Sequence, residues 1–256
     1  FLAKIRKSGG KYLFLTNNSS KGVDAYVEKM TRLGVPAAAE DFLTSVDALI
    51  VFLERTYGAA VKKKKMYVVG TRSFRAQLAA AGFLLTETPD DDTELLILGF
   101  DRELTYPKLE DACRLLARRG EKSGASDARQ AKNALPAVDY YATNPDWVCP
   151  TVFGSVPDCG SMAWMLEKAT GRLPKFIGKP EPEMALLAME QTGFCASETL
   201  LIGDRLYTDI ACGNRAGVDT AFVLSGEGTL ADLAKGQGKP TYIFENIAEV
   251  CKAVFG

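Results

Sequence analysis

The sequence contains no histidine. That excludes Ser-His-Asp and Cys-His nucleophilic catalysis and every metal site that needs imidazole. Any chemistry must come from carboxylates, lysine, hydroxyls, thiols or the backbone. The chain has no C-x-x-C pair among its six cysteines, which argues against zinc ribbons and thioredoxin-type redox sites. No apolar run approaches the ~18 residues of a membrane span; Ala48 to Leu53 and Leu95 to Phe100 have the length of short buried segments. Neither sign of charge is in excess, with 31 Lys and Arg against 32 Asp and Glu, so the basic footprint of a nucleic-acid or membrane-surface binder is missing. No G-x-G-x-x-G follows a strand near the start, which weakens a dinucleotide-binding reading.

The 256 residues are 47% hydrophobic, enough for a sizeable core in one large domain or two smaller ones. Without a secretory leader in view, the cysteines (Cys113, Cys149, Cys159, Cys195, Cys212 and Cys251) read as free, buried thiols of a cytoplasmic protein. Short apolar runs alternate with helical periodicity along most of the chain. Lys11 to Leu15 is a strand ending in the polar cluster Thr16-Asn17-Asn18-Ser19-Ser20. Helices follow over about Val23 to Leu33, Val46 to Tyr57 behind the cap candidates Thr44 and Ser45, Ser73 to Ala81, and Tyr106 to Arg118. Met66 to Val69, Leu95 to Leu98 and Val138 to Asn144 read as strands. The last third alternates again, with strands at Phe176 to Gly178, Thr199 to Ile202 (a buried one), Thr220 to Leu224 and Tyr242 to Phe244. Helices there are expected over Met162 to Thr170, Glu183 to Thr192, Asp209 to Ala216 and Ile247 to Val254. Gly120 to Leu135 has almost no large apolar residue and reads as a loop or insertion. This alternation predicts an α/β fold with a mostly parallel, doubly wound sheet.

In such sheets, ligands bind beyond the carboxyl ends of the strands. Three of these ends carry reactive groups: Thr16-Asn17-Asn18, Lys179, and Asp204 with Asp209 nearby. Hydroxyl, amide and ammonium donors suit a phosphate, and carboxylates suit Mg²⁺. Taken singly, each has an ordinary reading as a helix cap, a solvated lysine or a turn residue.

Taken in order, the strings Leu13 to Ser20, Ile177-Gly178-Lys179-Pro180-Glu181-Pro182 and Ile202 to Ile210 resemble the second, third and fourth motifs of the haloacid dehalogenase (HAD) superfamily, in its NagD-like or 4-nitrophenylphosphatase-like wording. Tyr141 to Asp146 and Gly154 to Ser161 resemble that subfamily's cap. The resemblance implies a Rossmann-like core over 1–81 and 176–256 with an inserted α/β cap over 82–175. It implies a Mg²⁺-dependent phosphatase that hydrolyses small phosphomonoesters (sugar phosphate, nucleotide or phosphoglycolate) through an aspartyl-phosphate, and a homodimer joined through the cap. Thr16, Asn17 and Asn18 would bind phosphate, and Lys179 would neutralise it. Asp204 and Asp209 would hold Mg²⁺, and Asn144 and Asp146 would meet the leaving group. The family's first motif, an Asp-x-Asp that supplies nucleophile and acid-base, has no counterpart between 1 and 15, where there is no acidic residue. The expectation is that it lies on a further segment upstream of Phe1. Asp90-Asp91-Asp92 is not preceded by a buried strand and reads as a solvated turn. Taken literally, the same residues would also serve a non-catalytic binder of phosphate ligands.

Overall fold

The computed structural model describes residues 1–118 and 135–256. All but the last residue of the Gly120 to Leu135 stretch therefore lie outside the described residues. The elements, in chain order, begin with α1 (Leu2–Lys7), β1 (Phe14–Thr16), α2 (Val23–Arg32), β2 (Phe42–Thr44) and α3 (Ser45–Tyr57). Next come β3 (Lys65–Val69), α4 (Arg72–Ala80), β4 (Leu84–Thr86), β5 (Thr93–Leu98), α5 (Tyr106–Leu116) and β6 (Asp139–Ala142). A hairpin of β7 (Val148–Thr151) and β8 (Gly154–Pro157) leads into α6 (Cys159–Thr170) and β9 (Lys175–Phe176). The chain closes with α7 (Glu183–Thr192), β10 (Leu200–Gly203), α8 (Ala211–Ala216), β11 (Asp219–Val223), β12 (Tyr242–Phe244) and α9 (Ile247–Phe255).

Five strands form a parallel sheet in the order β4-β3-β5-β6-β9. Its two central strands, β3 and β5, are buried on both faces, which is why they read as unbroken apolar runs. Met66, Val68, Leu95 and Ile97 face one core with Leu49 and Leu53 of α3 and Phe74 and Leu78 of α4. The alternate residues Tyr67, Val69, Leu96 and Leu98 face the other core with Leu115 of α5 and Leu166 of α6. Thr44 starts α3 as a capping box with Asp47, each side chain bonding the other's backbone N–H. Gly171 and Gly193 stop α6 and α7 in the left-handed conformation. Two smaller parallel ladders complete the fold: β1 with β2, and β10-β11-β12.

The structure alters three expectations. The sheet crosses the expected core–cap boundary at 81–82: β3 and α4 lie before it, yet β3 pairs with both β4 and β5. At the other boundary, β9 straddles 175–176. Strand–helix alternation runs unbroken through Gly82, and nothing in local periodicity tells a strand which sheet to join. The strand Leu200–Gly203 is half-buried throughout rather than buried. All six cysteines are free, but only Cys159 and Cys212 are buried; Cys195 is exposed, and the other three are intermediate. Among the described residues no helix is long and apolar enough to cross a membrane.

Candidate active site

Thr16 ends β1, Asn144 and Asp146 follow β6, Lys179 follows β9, and Asp204 follows β10. All these chain segments meet at one cleft of about 700 Å³, lined by Thr16, Asn17, Asn18, Asp146, Lys179, Asp204 and Asp209. The Lys179 ammonium is buried and donates to Asp209 Oδ1 at 2.6 Å and to the Leu15 carbonyl at 3.1 Å. Burial works against its charge, but the Asp209 carboxylate outweighs that and lifts its pKa above the ordinary lysine value. Lys179 is thus a fixed cation at the cleft.

Asn17 has a different task from the one expected. Its side-chain amide donates to the Lys179 carbonyl at 2.8 Å and to Asp146 Oδ2 at 3.0 Å, and its Oδ1 accepts the Lys179 N–H at 2.9 Å. The whole side chain is engaged in clasping the Lys179 backbone, with nothing left for a phosphate. Gly178 makes this approach possible: a Cβ there would lie 2.4 Å from the Thr143 carbonyl and 2.7 Å from Asn17 Oδ1. Asn18 spends only its side-chain Oδ1, which accepts both the backbone N–H and the hydroxyl of Ser20; among the described residues its amide Nδ2 reaches no partner nearer than Cys149 Sγ at 4.0 Å. Beside that amide the loop offers the Thr16 hydroxyl, whose Oγ1 accepts the Asn18 N–H at 3.2 Å and whose proton is left over.

The carboxylates differ in what they have free. Asp209 Oδ1 is taken by Lys179, and its Oδ2 accepts the Arg205 N–H at 3.2 Å. Asp204 Oδ2 accepts the Glu227 N–H at 2.7 Å, a contact that Gly226 permits, since a Cβ there would sit 2.0 Å from that oxygen. Asp204 Oδ1 keeps its lone pairs. Among the described residues no group of three or more His, Cys, Asp or Glu is placed to cage a metal. Mg²⁺ commonly binds on one or two carboxylates with the rest of its shell from water and substrate phosphate, a demand that a single carboxylate oxygen with free lone pairs meets. Asp204 has the free oxygen, and Asp209 braces Lys179.

Of the two expected cap residues, Asp146 lines the cleft while Asn144 is fully buried behind it. Asn144 Nδ2 donates to Asp146 Oδ2 at 3.0 Å and to Asp158 Oδ1 at 3.3 Å. Arg205, Glu227 and Asp158 line the cleft without having been singled out from the sequence. Arg205 stood inside a quoted motif, and the signal for it was a cation next to the metal-type Asp204. Its guanidinium bonds Glu227 at 2.6 Å and stands 3.9 Å from Asp146 Oδ1. Trp147 is not part of the lining; it stacks on Trp164 with ring centres 5.8 Å apart. Asp90, Asp91 and Asp92 are exposed at the entry to β5, where Asp90 pairs with Lys65. A second cavity, of about 670 Å³, lies at the amino end of β1, where Arg6 bonds both oxygens of Asp41.

Comparison with known proteins accords with this geometry. The haloacid dehalogenase-like hydrolase family model matches residues 1–84, and a second, HAD-hydrolase-like, matches 176–250. The acid sugar phosphatase of Staphylococcus aureus is 31% identical over 250 residues, covering 97% of this chain and 87% of the relative. The crystal structure of 4-nitrophenylphosphatase from Thermotoga maritima superposes with a TM-score of 0.83 at 33% identity, over 99% of this chain and 88% of that one. NagD from E. coli K-12 superposes with a TM-score of 0.79 at 30% identity, over 97% and 88% of the two chains. With the motifs, the parallel α/β architecture and these relatives in agreement, the chain belongs to the haloacid dehalogenase-like hydrolases and is a phosphatase of their NagD-like group.

Proposed function

We propose that this chain hydrolyses small phosphomonoesters, sugar phosphates foremost, with Mg²⁺ as cofactor and through an aspartyl-phosphate. The observation that carries the proposal is the meeting of Thr16, Lys179, Asp204 and Asp209 in one cleft. Phosphoryl transfer requires little covalent work from a protein beyond an in-line nucleophile; most of the barrier is lowered by positioning and charge neutralisation. Lys179, fixed by Asp209 and by the Asn17 clasp, neutralises the phosphate oxygens. Thr16 donates its hydroxyl to another. Asp204 would hold Mg²⁺, which when bound supplies the remaining positive charge.

The family resemblance assigns attack on phosphorus to the first carboxylate of an Asp-x-Asp pair. No such pair ends a strand among the described residues, so binding and charge neutralisation are what the described side chains contribute. The relative named as an acid sugar phosphatase supports sugar phosphates as substrates. In this reading the five-stranded unit over 65–176 serves as the cap, presenting Asn144 and Asp146 to the leaving group. The test is phosphate release from 4-nitrophenyl phosphate and from glucose 6-phosphate by the purified protein, with Mg²⁺ and with EDTA. Release abolished by EDTA and by Asp204→Ala is expected. Release that persists undiminished in either case overturns the assignment.

A further inference from the structure

Five carboxylates and two cations line the cleft. Three of the five are accounted for. Asp209 is matched by Lys179 and Glu227 by Arg205, while Asp204 is the carboxylate with a free oxygen for Mg²⁺. Asp146 and Asp158 remain, each only 4% exposed. Nothing in phosphate binding calls for them, since a carboxylate repels a phosphate.

Their hydrogen bonds show which oxygens are spent. The Asn144 amide bridges the pair, bonding Asp146 Oδ2 and Asp158 Oδ1. Asp146 Oδ2 also accepts from Asn17, and Asp158 Oδ1 from the Cys159 N–H at 2.5 Å. Asp146 Oδ1 is sealed from solvent without any hydrogen-bond partner, its nearest cation being Arg205 at 3.9 Å. A buried carboxylate oxygen with no donor costs free energy unless a ligand supplies one. Asp158 also caps α6, but capping does not require its charge: Asn or Ser caps a helix about as well. A carboxylate placed here, buried and beside a second one, is costly for a cap alone. Burial first, and Asp146 after it, raise the Asp158 pKa to about 6, which still leaves Asp158 mostly ionised at neutral pH.

We propose that Asp158 is a specificity-determining residue, forming with Asp146 an acidic subsite that takes leaving groups bearing hydroxyl or ammonium donors and rejects leaving groups bearing a carboxylate. The proposal rests on the phosphatase reading above and narrows it to polyhydroxy and amino-sugar phosphates, away from phosphoglycolate. The leaving group's donors meet the unpartnered oxygens, whereas an anionic leaving group meets two like charges in a desolvated wall.

The experiment compares kcat/KM for glucosamine 6-phosphate, glucose 6-phosphate and 2-phosphoglycolate in the wild type and in Asp158→Asn, which keeps the cap and removes the charge. The wild type is expected to prefer them in that order. The variant is expected to shrink the glucosamine-to-phosphoglycolate ratio at least about tenfold, mostly through KM. Asp158→Ser, a second capping variant, stands in if the first does not fold. A ratio unchanged within about twofold, with KM unmoved, reduces Asp158 to a cap and overturns the proposal. The same three esters are also scored by the rise they cause in unfolding temperature, which needs no turnover. Absence of turnover on every ester counts against the phosphatase reading, whereas identical thermal shifts for the three esters count against the subsite.

Discussion

Replacing Asn17 by alanine separates two roles for an amide at the end of β1. In the structure its side chain makes three hydrogen bonds, two to the Lys179 backbone and one to Asp146, all buried. Removal forfeits about 0.5–1 kcal/mol net for each bond, and the stranded Lys179 N–H and carbonyl add to the loss, for a total of about 2–4 kcal/mol. For a chain of this size that lowers Tm by roughly 5–12 °C. Freed from its clasp, the Lys179 loop shifts, and a displacement of about 1 Å in a phosphate-neutralising group costs about 100-fold in kcat. Thermal unfolding and steady-state phosphate release from one preparation read both effects. An amide that instead touched phosphate directly would show its loss in KM, with Tm untouched. An Asn17→Ala protein with wild-type Tm and kcat and only a raised KM would refute the clasp.

Three further outcomes follow from the same geometry. Lys179→Met removes one partner of a buried ion pair and leaves Asp209 uncompensated, so a loss of about 3–5 kcal/mol in unfolding free energy is expected. Phosphate release should fall about 100- to 1,000-fold with it, and a stable, active variant would count against the site. Gly178→Ala puts a Cβ 2.4 Å from the Thr143 carbonyl and should displace Lys179, lowering both Tm and activity; a crystal structure of the variant with the Asn17 bonds intact would contradict this. Asp158, flanked by Asp146 and Arg205, has a folded-state pKa of about 6 against 3.8 for the free side chain. The folded state therefore holds this proton more tightly than the unfolded state does. Ionisation opposes folding as pH rises through about 4 to 6, and no penalty exists below that range. Asp158→Asn should thus gain on the wild type by up to about 3 kcal/mol between pH 4 and pH 7, measured by denaturant unfolding at each pH, and an equal difference at both would disprove the shift.

Much of this was legible because the parallel strands are buried on both faces. Met66 to Val69 and Leu95 to Leu98 announce themselves as short apolar runs, and Glu183 to Thr192 is bounded by Pro182 and a left-handed Gly193. The residues that line the cleft were legible where strands end in polar clusters. The hairpin Val148 to Pro157 was not, since its four-residue strands bury no residue and include proline at both Pro150 and Pro157. The roles of Asn17 and Asp209 were not legible either. An amide beside a phosphate-type threonine looks like a ligand, and only the approach of Lys179, 162 residues away, shows that the backbone has claimed it. Asp158 was not singled out for the same reason: its neighbour Asp146 sits across a hairpin that local pattern did not reveal.

The bonds that assemble the cleft close long loops. Asn17 to Asp146 spans 129 residues, Asn17 to Lys179 spans 162, and Lys179 to the Leu15 carbonyl spans 164. Such closures carry a large chain-entropy cost and reward the chain only once the intervening sheet has formed. Catalysis therefore reports on complete topology rather than on helix content. A refolding chain should recover its far-ultraviolet circular dichroism before its phosphatase activity, the interval between the two being the time in which residue 17 finds residue 179.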